Sequence, residues 1–216
     1  MCFALVFTMA VSLVVFSVPT TAAPADEVAV ETDVAITSVD EPEDALVGKS
    51  WTGNGNNLDL SKLQFGDIIS VKGVILIAGL GEWWMGYSHT AIYIGNGQMI
   101  EAFADGVRLA PSSMIHNADC ARIDRVNTYY SKKVAAVNFM KAQLGKPYDY
   151  RWLTYFGGKQ VYGSSYYCSE LAWAGFKAVG GPDIDQYTGY NWRYGYNVAP
   201  QEVVDDGNTY YISYSS

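Results

Sequence analysis

The stretch "SHTAIYIGNGQMIEAF", Ser88 to Phe103, sets the architecture for much of the chain. His89, Ala91 and Tyr93 alternate with Thr90, Ile92 and Ile94, which is the period of an extended strand. "GNG" at 95–97 is a tight-turn signal and "QMIEAF" is the strand that returns. A β-hairpin is therefore predicted, with His89 near the open end of one arm and Glu101 near the open end of the other. Pairing of those arms brings a carboxylate within range of an imidazole. A strand histidine with a carboxylate across from it can serve as an oriented base, so the next question is what it would deprotonate.

The candidate lies in "YYCSELAWAGF", Tyr166 to Phe176. Apolar residues at Leu171, Ala174, Gly175 and Ala178 follow helical spacing, and Gly180, Gly181 and Pro182 end the run. Tyr166 and Tyr167 favour extended backbone, so Cys168 falls at or near a helix N-terminus. Unpaired N–H groups and the positive end of the helix dipole favour a thiolate there. Local sequence leaves three readings open: a small buried residue, half of a disulfide with Cys120, or a nucleophile. The second histidine, His116, lies in the turn-rich "APSSMIHNADC", where a solvated loop residue is the default. Two histidines and, beyond the N-terminal 22 residues, two separated cysteines, Cys120 and Cys168, do not make zinc-ligand spacing, so no metal is expected.

Composition bounds the rest. The chain has 216 residues and a net charge of −8, enough for one well-buried domain and without the basic excess that nucleic acid requires. Phe3 to Val18 is a continuous apolar run followed by small residues, which predicts a signal peptide over 1–22. No Lys or Arg precedes it, and membrane contact would follow only if the segment stays uncleaved. Residues 23–48 hold Asp26, Glu27, Glu31, Asp33, Asp40, Glu41, Glu43 and Asp44 and no base, while the remaining chain carries 14 acids against 14 bases. The net charge thus belongs to an expected acidic flexible linker, and the domain expected over 49–216 is neutral. "SKKVAAVNFMKAQLG" (131–145) predicts a helix capped by Ser131 and Gly145, with Val134, Val137, Met140 and Leu144 along one side. "SVKGVILIAG" (70–79) predicts a strand and loop.

Four segments together carry a resemblance: "GDIISV" (66–71), "SHTAIYIGNGQMIEA" (88–102), "GKPYDY" (145–150) and "YYCSELAWAGF" (166–176). They resemble the landmarks of NlpC-type papain-like cysteine hydrolases. Their order is reversed relative to the usual member, which is similar to the circularly permuted, YiiX-like branch. The resemblance runs from about Leu63 to Val179, and "VAPQEVVDDGNTYYISY" is similar to the terminal strand of that branch. It implies an α+β, papain-like, circularly permuted fold in which an antiparallel sheet packs against helices and the nucleophile starts a helix. It further implies Cys168 as nucleophile, His89 as general base and Glu101 as the third polar residue. The cysteine and histidine are expected to meet because helix and sheet pack face to face. Tyr148 of "GKPY" matches a tyrosine that lies beside the nucleophile in relatives, whereas Asp67 reads as a turn residue. Tyr148, Tyr167 and Trp84 are the candidate substrate-contacting residues, Trp84 because "GEWWMGY" (81–87) directly precedes His89. "DQYTGYNWRYGYN" (185–197) is a second aromatic, hydrogen-bonding stretch suited to peptide or glycan-linked substrates.

The function implied is a secreted, cell-surface or periplasmic thiol hydrolase cleaving amide bonds, such as those of cell-wall peptides, through an acyl-enzyme and without a cofactor. Two other classes compete with it. A lipid-directed thiol hydrolase or acyltransferase is kept in play by the apolar "VILIAGLGEWWMG", and a non-catalytic binding module would keep only the fold.

Overall fold

Six short extended segments build the framework of the chain. The computed structural model describes Trp51 and residues 53–74, 86–154 and 157–216; the predicted signal peptide, the acidic linker and Trp84 lie outside them. The strands are β1 (Ile68–Lys72), β2 (His89–Gly95), β3 (Gln98–Phe103), β4 (Gly106–Pro111), β5 (Cys120–Val126) and β6 (Thr209–Ser215). They form one sheet in the order β4-β3-β2-β1-β5-β6, antiparallel at every pairing. The helices are α1 (Tyr130–Lys141), α2 (Cys168–Ala178) and α3 (Pro200–Asp205).

The β2–β3 turn has Asn96 and Gly97 at φ 52 and 71. Asn and Gly tolerate that left-handed backbone, and its twist matches the strands it joins. Both faces of the sheet are covered. Ile68, Ile92, Ile100 and Ala102 pack with Leu171, Trp173 and Phe176 of α2 and with Val137 and Met140 of α1. On the other side Ile69, Val71, Ala91, Met99 and Phe103 pack with Trp51, Leu58 and Ile115. Burial on both faces explains why β1, β2 and β3 read as near-continuous apolar runs.

Several expectations need correction. The helix predicted over 131–145 spans 130–141, and its buried stripe is Lys133, Ala136, Val137 and Met140. Leu144 is exposed, because Gln143 and Leu144 donate to carbonyls three residues back in a tightening turn. Gly145 then bonds to the Val107 carbonyl at φ 80, carrying the chain off toward the sheet. The final segment is not all strand: Pro200 starts a helical turn before β6, as its fixed φ favours. Cys120 and Cys168 are both free thiols. Asp67 precedes β1, caps the Gln64 N–H and takes two bonds from Arg125 at 2.8 Å. That is a turn-and-anchor role.

Candidate active site

Cys168 is the first residue of α2, and Tyr167 before it is extended at φ −93, ψ 171. Glu170 locks that start by accepting the Tyr167 N–H at 3.2 Å and the Gln160 N–H at 2.7 Å. The segment 147–149 runs beside 166, with the Tyr166 N–H on the Pro147 carbonyl and the Asp149 N–H on the Tyr166 carbonyl. Those bonds deliver Tyr148 to the cysteine, and its buried hydroxyl donates toward the sulfur. Burial first, then the charge on Cys168, pushes the Tyr148 phenol well above its usual range. It stays a donor throughout the physiological range.

His89 is the first residue of β2 and is fully buried. Its Nε2 meets Glu101 Oε2 at 2.5 Å. Among the described residues Nδ1 makes no hydrogen bond of full geometry, and it is the ring nitrogen left to the Cys168 thiol. Trp51 and Phe103 pack edge-on against the ring, with centroids 5.2 and 5.6 Å away. The imidazole can therefore tilt little.

The way thiol and imidazole meet differs from the expected face-to-face contact. Ile92 and Ala102 point at α2, whereas His89 and Glu101 occupy the alternate positions, on the side of Ala91, Met99 and Phe103. The imidazole thus belongs to the sheet face away from the helix body. Cys168 reaches it at the N-terminal end of β2, where the first residues of strand and helix converge. The backbone N–H groups of Thr90 and Ser169 donate toward the sulfur.

Electrostatics follow from this arrangement. Burial alone would push the Cys168 thiol up, but the facing imidazole and the two N–H donors overcome it and lower it. For His89, burial opposes the charged form, and the facing thiolate and Glu101 outweigh it, raising the imidazole from 6.5 to about 9. Each group thereby favours the charged form of the other, so the pair rests toward thiolate and imidazolium. Glu101 is held below its usual range despite burial, by His89 and by Arg108.

Arg108 is the residue that the sequence reading missed. It lies directly opposite Glu101 on β4, and its Nε and Nη2 sit 3.0 and 2.9 Å from Oε1. An arginine seven residues beyond Glu101 in a second hairpin was the available signal. Tyr167, expected to touch substrate, is buried, and its hydroxyl accepts the Val198 N–H at 2.9 Å. It is part of the frame around Cys168 rather than of an open surface. His116 lies on a 3-10 turn at 112–117 with Nε2 2.9 Å from the Leu58 carbonyl, apart from this cluster.

A model of permuted papain-like amidase enzymes, YaeF/YiiX, C92 family, matches residues 63–213. Among solved structures, the crystal structure of metalloprotein YiiX from Escherichia coli O157:H7 is similar in fold at 19% sequence identity and a TM-score of 0.51. The match covers 70% of this chain and 97% of that one. A search of curated proteins finds no match. "Metalloprotein" describes that neighbour; among the described residues of this chain, no three or more His, Cys, Asp or Glu side chains gather as a metal site requires.

Proposed function

The chain belongs to the permuted papain-like amidase family of YaeF and YiiX, and from that membership we propose that it is an exported thiol amidase acting on cell-wall peptides through Cys168, His89 and Glu101. The observation that carries the triad is the buried 2.5 Å contact of Glu101 with Nε2 of His89, which leaves Nδ1 for the thiol at the start of α2.

His89 holds the thiol proton on Nδ1, and the Cys168 thiolate attacks the amide carbonyl carbon. The first N–H groups of α2 lack intrahelical acceptors and favour the oxyanion that forms. The C–N bond breaks as His89 passes its proton to the leaving nitrogen, and a thioester remains on Cys168. Water, deprotonated by His89, then attacks the thioester carbonyl, the C–S bond breaks to release the acid, and the thiolate–imidazolium pair is restored. Glu101 keeps the ring aligned and offsets the imidazolium charge through both halves. Tyr148 steadies the sulfur.

Support for a cell-wall peptide comes from the loop before Val198. It ends on the Tyr167 hydroxyl beside Cys168 and exposes Tyr187, Tyr190 and Trp192, the last at 80%. Aromatic rings in such a position suit the sugar and peptide faces of a glycan-linked substrate. The apolar run Phe3–Val18 supports export. The test is a panel of amide, ester and thioester substrates, including muropeptides, with mass spectrometry of the intact protein. Release of amine together with an acyl adduct on Cys168 is expected. Turnover retained in Cys168→Ala would overturn the nucleophile, and fatty-acid release with amides untouched would replace the amidase reading by a lipid-directed one.

A further inference from the structure

Glu101 is fully buried, and its two oxygens are divided between two partners. Oε2 meets His89 Nε2 at 2.5 Å, while Oε1 takes Nε and Nη2 of Arg108 at 3.0 and 2.9 Å. A carboxylate gripped in this way cannot rotate about its last bond without breaking one contact. Arg108 is itself fixed from other directions. Its Nη1 donates to Asp105 Oδ2 at 2.9 Å, and its guanidinium lies 4.4 Å from the centre of the Phe103 ring. Phe103 in turn stands edge-on to the His89 imidazole. Strand register makes the arrangement obligatory, because Glu101 and Arg108 are directly paired across β3 and β4.

We propose that Arg108 is a positioning residue of the amidase reaction, holding one oxygen of Glu101 so that the other stays on Nε2 of His89. The inference rests on the triad reading above and extends it by one member on a third strand. Its physical basis is the cost of a buried carboxylate. Removed from water, Glu101 needs a permanent cation to remain an anion whenever the imidazole is neutral, as it is after the proton leaves for the amine. Arg108 supplies that charge through the whole cycle. The groups facing Glu101 are His89 from β2, Arg108 from β4 with Asp105 behind it, and, beyond the imidazole, Cys168 of α2 and Tyr148. Without Arg108, the carboxyl would keep its proton to higher pH, and the acid limb of activity would move upward.

The experiment compares Arg108→Gln, Arg108→Lys, Glu101→Gln and the Arg108→Gln/Glu101→Gln double variant on one amide substrate, with His89→Ala and Cys168→Ala alongside. Circular dichroism melts check folding. Arg108→Gln is expected to lower kcat about ten- to hundredfold, as loss of a group that orients a reacting one does, with KM little changed. Its acid limb should shift to higher pH. Arg108→Lys should restore part of kcat, being a cation without the two-pronged fork. In the Glu101→Gln background, Arg108→Gln should add no more than about a twofold loss, since the two act through one contact. Full activity and an unmoved acid limb in Arg108→Gln, with Cys168→Ala and His89→Ala inactive, would overturn the positioning role and leave the triad intact. Additive losses in the double variant would overturn it as well. If Arg108→Gln fails to fold, Arg108→Lys decides: kcat and pH profile equal to the parent in both backgrounds contradict the proposal. Activity surviving in His89→Ala would instead strike at the triad itself.

Discussion

At the residue scale, the charges on Cys168 and His89 predict a pH window. Catalysis needs a thiolate to attack and an imidazolium to protonate the leaving amine. Activity should therefore rise as the thiol ionises, below its usual value of 9.0 because His89 lowers it. It should fall where the imidazolium loses its proton, near pH 9. A profile of kcat/KM against pH would read both limbs, which belong to the coupled pair rather than to either group alone. An alkaline limb near 6.5 would mean that neither Glu101 nor the thiolate stabilises the charged ring. Substitutions should rank in the same sense. His89→Ala should cost about 10²–10⁴-fold in kcat, the span of lost general acid and base catalysis. Glu101→Gln should be milder, since an amide still accepts from the ring but carries no charge. His116→Ala should leave turnover unchanged, because its ring bonds to the Leu58 carbonyl and to nothing in the site.

At the element scale, α2 does two jobs that single changes separate. Its N-terminus is held by Glu170, whose burial pushes the carboxyl from 4.5 up to about 8 against the N–H bonds from Gln160 and Tyr167. The folded protein thus keeps a proton that the unfolded chain releases near 4.5. The stability this confers is full below that pH and is lost as pH rises through about 8. Thermal melts from pH 5 to 9 should show a decline in the parent that Glu170→Gln flattens, and equal slopes would contradict the assignment. The helix middle is set by Gly175, where an added Cβ would come within 2.8 Å of Met140 Cγ and 3.2 Å of the Ala136 carbonyl oxygen. Gly175→Ala should lower stability by about 1–3 kcal/mol through overpacking, read as a reduced denaturation midpoint. A midpoint equal to the parent's would show that Met140 can move aside at no cost.

At the scale of the whole molecule, what the sequence made legible and what it hid have separate physical causes. The β2–β3 hairpin is readable because the Asn96-Gly97 turn and the extended runs on either side of it are local signals, and α2 is readable from its apolar spacing and the glycines after it. The boundaries of α1 were not, because Lys133 is buried beside Asp67 at 4.0 Å, a contact from another element that shifts the stripe. The route by which the cysteine meets the histidine was hidden too, since both sheet faces are apolar and alternation alone does not say which of them α2 covers. Arg108 was missed because its importance depends on the β3–β4 register. Tyr167 looked like a substrate contact because it adjoins Cys168, yet its hydroxyl is committed to Val198. The proposed function rests on one claim, that Cys168 is a thiolate nucleophile activated by His89. The most direct measurement is inactivation by iodoacetamide with peptide mapping of both cysteines in the native protein. Activity should fall in step with alkylation of Cys168, far ahead of Cys120, and His89→Ala should slow the labelling sharply. Equal labelling of the two thiols, or full activity with Cys168 alkylated, would contradict it.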